Sequence, residues 1–487
     1  MGTMEVDTVS PVTERKILVQ LKSDQGEALG APLDIPFDIS AKDLQSICNL
    51  LLEQQEDPLP YSFFIDNTEI LKKLDDAIDF DKANTERCLD IVYQPQAVFR
   101  VRAVTRCSST IEGHAEAVIS TQFSPDGRYL ASGSGDTTVR FWDVNTETPQ
   151  FQCKGHKNWI LAIAWSPDGK KLASGCKDGK ICLWDPATGK QVGKTLAGHQ
   201  QWITWLSWEP LHMNGQCRLL ASSSKDATIR IWDTVMQSTL RILSSHTQSV
   251  TCIRWGGSGL IYSCSQDRSL KVWRAEDGVL CRTCTGHAHW INTLALNTDY
   301  VMRTGAVDPK DADVIHAADM DSPENLQKQA LLRYNEFRKA SGVERLVSGS
   351  DDFTLFLWNI ETEKKPVERM TGHQGTVTQV CFSPNGNLIA SASFDHSVKL
   401  WNGITGKFIA SLRGHVQRVY QVAWSADSRL LVSGSQDSTL KLWEVKSRRL
   451  TVDLPGHADD VYTVDWSPDG QRVVSGGKDK VLKVWKK

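Results

Sequence analysis

The sequence predicts a mainly β protein: a closed ring of eight four-stranded sheets, with a small α+β domain ahead of it. Three observations predict this. A Ser, an Asp and a Trp recur at fixed spacing in eight copies, each preceded by a His, between His114 and Trp485. Within each copy, short alternating runs are punctuated by turn residues such as PDG, GD and NTET, the pattern of successive strands. Ahead of the array, residues 15–96 carry strand and helix patterns in an order used by small α+β folds.

The first 14 residues contain no apolar run, so a disordered tail is expected there rather than a secretory signal. RKILVQLKS and APLDIPFDI then read as hairpin strands. SAKDLQSICNLLLEQQ reads as an amphipathic helix, with Ser40 as its N-cap and Leu44, Ile47, Cys48 and Leu51 on one face. YSFFI and CLDIVY supply two more strands. This order fits a ubiquitin-like β-grasp fold over residues 15–96. The run CLDIVY leads on without a Gly-Gly ending, which excludes a conjugated tag and leaves a fixed docking domain.

The array occupies residues 97–487. Gly-His, or Ser-His in the fourth copy, recurs at His114, His156, His199, His246, His287, His373, His415 and His457. Six residues before each recurrent Trp stands an Asp, and four before each Asp a Ser: Ser132, Asp136 and Trp142 in the first copy, Ser174, Asp178 and Trp184 in the second. Asp can accept from His, His can bond Ser, and Ser can accept from the indole N–H. Such a chain satisfies buried polar groups within a sheet. Because the trio occurs eight times, His114, Ser132, Asp136, His156, Ser174 and Asp178 are structural, and catalysis by a Ser/His/Asp triad is rejected. The pattern resembles the WD40 repeat, so an eight-bladed WD40 β-propeller is expected, with a seven-bladed ring and one stray copy as the weaker option.

Two elements depart from the repeat. Only two residues follow Trp485, so the last copy is expected to borrow its outer strand from AVFRVRAV or RCSSTIEG, ahead of the first Gly-His, which closes the ring without an open edge. In the fifth copy 65 residues separate His287 from Asp352, against 22 between His114 and Asp136. The insertion, residues 298–342, contains DSPENLQKQALLRYNEFRKASG. Ser322 suits its N-cap, Pro323 its first turn and Gly342 its end, with Leu326, Ala330, Tyr334 and Phe337 as an apolar stripe.

Charge separates the two parts. Residues 1–96 hold 19 acids and 8 bases, and the remainder 39 acids and 47 bases. An acidic front suits a cationic or metal-bearing surface, and a mildly basic body is compatible with RNA-rich surroundings. The 12 Cys show one C-x-x-C, Cys281 and Cys284, with no second pair beside it. Most of them read as small buried hydrophobes, and no metal or cofactor of the chain's own is expected. No phosphate-binding G-x-x-x-x-G-K-[ST], H-E-x-x-H or nucleophile elbow is present, so an enzyme is not expected. No apolar run is long enough to predict a membrane span, and a monomer is expected.

A ubiquitin-like front joined to eight WD40 copies by ERCLDIVYQPQAVFRVRAVTRCSSTIEGH resembles the Notchless family. The first copies, EAVISTQFSPDGRYLASGSGDTTVRFWD and WILAIAWSPDGKKLASGCKDGKICLWD, are similar too. The resemblance implies a non-catalytic adaptor in assembly of the large (60S) ribosomal subunit, acting in the nucleus and nucleolus. It implies that the front domain docks on the magnesium-bearing adhesion site of midasin, an AAA+ ATPase, whose ATP-driven work then releases assembly factors. A family Glu just before the last strand of that domain completes the partner's magnesium shell, and the matching residue is Glu86, with Asp66 and Glu69 as weaker candidates. The resemblance also implies that the propeller sits on the pre-60S particle near the 5S ribonucleoprotein, other assembly factors and ribosomal RNA, and the family name carries a Notch-signalling role.

For the propeller surface, the residues just after each Gly-His and just before each turn Asp are the candidates. Trp159, Trp202 and Trp290 recur in KNWI, QQWI and AHWI, and exposed Trp anchors interfaces. Lys177, Lys225, Lys478, Phe394 and Arg418 join them. Other readings are a substrate receptor or scaffold in the ubiquitin system, or a signalling scaffold.

Overall fold

The computed structural model describes residues 16–23, 27–36, 39–52, 60–65, 68–70, 74, 88–95, 100–308, 322–361 and 365–487. The expected tail and Glu86 lie outside these residues. The chain divides into two compact units, Met1–Arg100 and Val101–Lys487.

The first unit contains β1 (Lys16–Ser23), β2 (Ala28–Pro36), α1 (Ala41–Leu51), β3 (Tyr61–Ile65), β4 (Thr68–Glu69) and β5 (Leu89–Pro95). The strands form one mixed sheet in the order β2-β1-β5-β3-β4, with β5 parallel to β1 and antiparallel to β3. This is the β-grasp arrangement. Alternation along β1 sends Ile17, Val19 and Leu21 inward, where they meet Phe63, Ile91 and the Leu44 and Cys48 face of α1. The Ser40 hydroxyl accepts from the Asp43 N–H at 3.3 Å and caps the helix.

The second unit is a ring of eight four-stranded antiparallel sheets. Blades 1 to 8 start at Val118, Ile160, Ile203, Val250, Ile291, Val377, Val419 and Val461. Each first strand lies innermost and packs on its neighbour's. A small residue follows the core Ser in several blades because the next blade presses there: a Cβ on Gly133 would lie 2.7 Å from Ile160, and one on Gly434 2.5 Å from Val464. Apolar clusters therefore straddle the blade boundaries, as where Phe123 and Trp142 of blade 1 meet Val474 and Val484 of blade 8.

Closure settles the two candidate strands. β6 (Arg106–Ile111) pairs with Leu482–Lys486 and completes blade 8. It comes from RCSSTIEG. Residues 101–104, the end of the AVFRVRAV run, and Thr105 form no strand. They run along the ring instead, with the Val101 N–H on the Asp427 carboxylate at 2.8 Å and Val104 fully buried.

The insertion in blade 5 also packs on the ring. Its short helix α2 (Asp299–Thr304) carries Arg303 to the buried Asp465 of blade 8 at 2.8 Å, while Asp299 meets Arg254 of blade 4 at 3.2 Å. Gly305, in the left-handed region at φ 56°, abuts the Pro167 carbonyl of blade 2, where a Cβ would come within 2.6 Å. Helix α3 (Pro323–Ser341) is capped by Ser322 and buries Leu326, Ala330 and Tyr334. Leu326 and Ala330 pack with Trp208 and Leu211 of blade 3, and Tyr334 stacks on His212 with ring centres 4.2 Å apart. The insertion thus ties together blades that are distant in sequence.

Candidate functional site

The recurrent His, Ser, Asp and Trp form hydrogen-bonded chains inside the blades. In blade 1 the Trp142 indole donates to Ser132 at 2.8 Å, Ser132 lies 2.8 Å from His114 Nε2, and His114 Nδ1 lies 2.8 Å from Asp136. A carboxylate only accepts, so His114 donates from Nδ1 and the Ser132 hydroxyl donates to Nε2. Burial works against ionisation of Asp136, but its bonds from His114 and Thr138 outweigh it and hold the carboxyl far below its usual value. The Ser is fully consumed by its two partners and buried, which leaves it no role as a nucleophile.

Blade 2 breaks the chain. Ser174 still accepts from Trp184 at 2.7 Å and bonds His156 at 2.6 Å. Asp178, however, does not join His156. Its carboxylate accepts from the Asn158 amide at 2.8 Å, and His156 Nδ1 faces only the Cys182 thiol at 3.9 Å. The physical reason lies in Asn158, which is short enough to capture Asp178. Lys180 stands where six other blades place a Thr or Ser that braces the Asp, as Thr138 does at 2.7 Å, but blade 8 has Val481 there and keeps its His457–Asp479 bond at 2.7 Å. Burial, with Lys180 adding to it against the pull of Asp178, lowers His156 to about 4.

These chains fix a ring of paired positions on one face. The residue before each turn Asp donates its backbone N–H to the carbonyl of the residue three after the His. Lys177 thus pairs with Trp159, Lys225 with Trp202, Asp351 with Trp290, Phe394 with Thr376, Gln436 with Arg418 and Lys478 with Asp460. The backbone pairing leaves all these side chains on the loop face. Trp159, Trp202 and Trp290 are 47%, 40% and 42% exposed.

Trp159, Lys177, Trp202 and Lys225 form one row across blades 2 and 3. The Lys177 ammonium lies 5.3 Å from the Trp159 ring centre and 4.4 Å from that of Trp202, and Lys225 lies 4.6 Å from Trp202. Each contact contributes about 0.5–1 kcal/mol at an exposed site. Among the described residues neither lysine has a carboxylate within ion-pair distance. The row therefore presents fixed aromatic surface and two uncompensated charges.

Trp290 stands apart, beside His289, whose ring centre is 5.3 Å away. Arg418 lies over Phe394 at 4.6 Å on the other side of the ring. Lys478 is committed to Asp459 at 3.1 Å. Phe394 continues through Tyr420 to Tyr462, with ring centres 6.1 and 5.5 Å apart, and the Tyr420 hydroxyl donates to Asp460 at 3.3 Å. Burial and the Asp460 charge push Tyr420 up to about 12. Tyr420 and Tyr462 are not among the candidates read from the sequence. The signal was present: the residue after the first buried Val is aromatic in blades 7 and 8 alone, where other blades have Thr, Asn, Ile or Leu.

Glu86 and Asp66 lie outside the described residues, as does the Glu69 side chain. Glu86 stands three residues before β5, which is held between β1 and β3 at the centre of the front sheet. Among the described residues no three His, Cys, Asp or Glu side chains converge on a common point, and all twelve Cys are free thiols. Among them, too, no helix is long and apolar enough to cross a membrane.

Residues 17–78 match the NLE (NUC135) domain family, and seven segments between 105 and 486 match the WD domain, G-beta repeat. The blade without a match of its own is the fifth, which the insertion splits. Protein Notchless of Drosophila melanogaster is 57% identical over 385 residues, covering 79% of this chain and 78% of that one. Ribosome assembly protein 4 of Saccharomyces cerevisiae is 48% identical, covering 80% and 78%. Among solved structures, the computationally designed Ika8 protein superposes with a TM-score of 0.61 at 26% identity, over 78% of this chain and all of that one.

Proposed function

The chain belongs to the Notchless family, and from that premise we propose that it is an adaptor that joins an assembling large ribosomal subunit to the motor that remodels it. The family's WD-repeat proteins are non-catalytic assembly factors, and this chain is not an enzyme. A role in ribosome assembly follows from relatives such as ribosome assembly protein 4. The finer reading has two ends. The propeller's loop face holds the pre-60S particle, near the 5S ribonucleoprotein and other assembly factors. The front domain gives midasin its grip, in the nucleus and nucleolus.

The single observation that carries this reading is the pairing of an NLE domain with a propeller whose loop face presents the Trp159–Lys225 row. Exposed Trp with unpaired Lys is the chemistry of an interface anchor facing an anionic partner. At the front, Glu86 would supply one carboxylate oxygen to a magnesium ion that midasin holds. The sequence position is compatible with this, three residues ahead of a strand held at the centre of the sheet. Magnesium favours hard oxygen ligands in octahedral geometry and accepts a single carboxylate at an open position. A lone metal–carboxylate bond can form and break repeatedly, as a cycle of pulling and release requires.

The test is calorimetric binding of the full chain to midasin's adhesion-site domain, in magnesium and in EDTA, with Glu86→Ala and Glu86→Asp. Binding is expected to vanish in EDTA and with both substitutions, since Asp is one methylene shorter. Wild-type affinity without magnesium, or with Glu86→Ala, would remove Glu86 from the interface.

A further inference from the structure

Blade 6 (377–413) holds a recess of about 310 Å³ bordered by Lys399, Arg413, His396, Gln374 and Gly372. Its chemistry becomes plain by comparison with the neighbouring blades. Four residues after the turn Asp, blades 4, 6, 7 and 8 each carry a Lys on the third strand: Lys271, Lys399, Lys441 and Lys483. Lys483, only half-buried, donates to the Thr110 hydroxyl opposite it at 3.0 Å. Lys441 is neutralised by Asp453, opposite it on the outer strand, at 2.8 Å. Lys271 donates to the Ser245 carbonyl at 2.6 Å and to its hydroxyl at 2.7 Å. In blade 6 the residue opposite Lys399 is Ser411, whose hydroxyl accepts at 3.3 Å.

Lys399 is only 6% exposed. Among the described residues it has no carboxylate within ion-pair distance. The one carboxylate at the recess is already used. Asp395 accepts from His373 at 2.7 Å, from the Gln374 N–H at 3.0 Å, and from the Ser397 N–H and hydroxyl at 3.0 and 2.6 Å. Arg413 adds a second cation, exposed and without an ion pair among the described residues, and His396 stands beside it. A nearly buried ammonium requires a counter-charge or several strong acceptors, and this one has a single long hydroxyl bond and the face of Phe408, whose ring centre lies 5.4 Å away. Burial, which Asp395 opposes and Arg413 reinforces, holds Lys399 below its usual value.

We propose that the blade 6 recess binds a phosphate group, held by Lys399 and Arg413, and that the group is carried on an RNA backbone. A tetrahedral oxyanion supplies the acceptors that both cations lack. The recess is roomier than a bare phosphate needs, which suits a group carried on a chain. RNA as the carrier rests on the ribosome-assembly reading above and on the basic excess of residues 97–487. The phosphate site itself does not rest on that reading.

The test is a phosphorus NMR titration of inorganic phosphate against the full chain. Saturable binding is expected for the wild type. Ser411→Asp, which copies the Asp453 arrangement of blade 7, is expected to weaken it by about tenfold or more, and Lys399→Met likewise, the size of one charge-assisted hydrogen bond. Lys441→Met is expected to bind phosphate as the wild type does. Absence of saturable binding, or unchanged binding by Ser411→Asp, overturns the site. A uridine tetranucleotide without a terminal phosphate is expected to displace phosphate from the wild type at lower concentration than phosphate itself. A phosphoserine peptide that displaces it better than the oligonucleotide overturns RNA as the carrier. Loss of phosphate binding with particle association intact sinks this inference alone. Phosphate binding without particle association keeps the site and sinks its carrier.

Discussion

The Lys177 ammonium lies 4.4 Å from the centre of the Trp202 ring, although the two residues belong to neighbouring blades. Lys177 precedes a turn Asp in blade 2, and Trp202 follows a Gly-His in blade 3. The propeller's regularity brings them together: each turn of one blade lies beside the first-strand loop of the next. The row they form with Trp159 and Lys225 is preorganised, so a partner loses little side-chain freedom in binding it.

Trp202→Ala is expected to weaken association with large-subunit precursors by about tenfold or more, as loss of an aromatic anchor does. Fold stability should change by less than about 1 kcal/mol, since the ring is substantially exposed. Co-sedimentation on sucrose gradients reads the first effect and urea unfolding the second. Unchanged sedimentation would remove this row from the interface.

Arg303→Ala should be far more damaging to the fold. It leaves the Asp465 carboxylate buried without its partner, which costs about 3–5 kcal/mol. Adding Asp465→Asn should recover part of that loss, because the remaining group no longer carries a charge. Urea unfolding of the two single variants and the double variant measures the coupling. An additive result would show that the Arg303 contact does not hold the ring.

The broken chain in blade 2 predicts a pH dependence. His156 has its value lowered to about 4 from 6.5, so the unfolded chain takes up a proton that the folded chain refuses. This contribution is fully present above pH 6.5 and is lost as pH falls to about 4, amounting to roughly 3 kcal/mol for a shift of that size. Burial also lowers His246 and His373, with the same sign. The turn aspartates act lower down: their values are depressed below 3.8, so their contribution is lost only on further acidification. Lys180→Thr supplies the hydroxyl that braces Asp in six other blades and should flatten the fall between pH 6.5 and 4. Urea midpoints across that range test it, and an unchanged slope would absolve Lys180.

Ring closure is open to truncation. A chain beginning at Val101 keeps β6 and should unfold cooperatively. One beginning at Glu112 lacks it, exposes the edge of Leu482–Lys486, and should melt lower and aggregate. Scanning calorimetry and light scattering distinguish the two, and equal melting would mean that β6 does not seal the ring.

The eight blades were legible because the His-Ser-Asp-Trp spacing encodes a buried hydrogen-bond chain that only one sheet geometry satisfies. The closing strand was not, since AVFRVRAV alternates as convincingly as RCSSTIEG and only the pairing with Leu482–Lys486 decides between them. The departure of Asp178 depends on the reach of Asn158, a neighbour that the repeat pattern ignores. Exposure of Trp159, Trp202 and Trp290 was undetermined because a loop residue has no periodicity to place it. The span of α2 could not be read at all: six residues carry too little pattern to show that Arg303 would meet Asp465.

The pairing of β6 with Leu482–Lys486 also sets a schedule for synthesis. The strand that seals the ring is translated before any blade, yet its partner comes only after seven blades have been made. At about 5–20 residues per second, roughly 20–75 s separate the two. For that interval every nascent chain carries a completed but unmated strand, exposed to its own later segments and to other polypeptides.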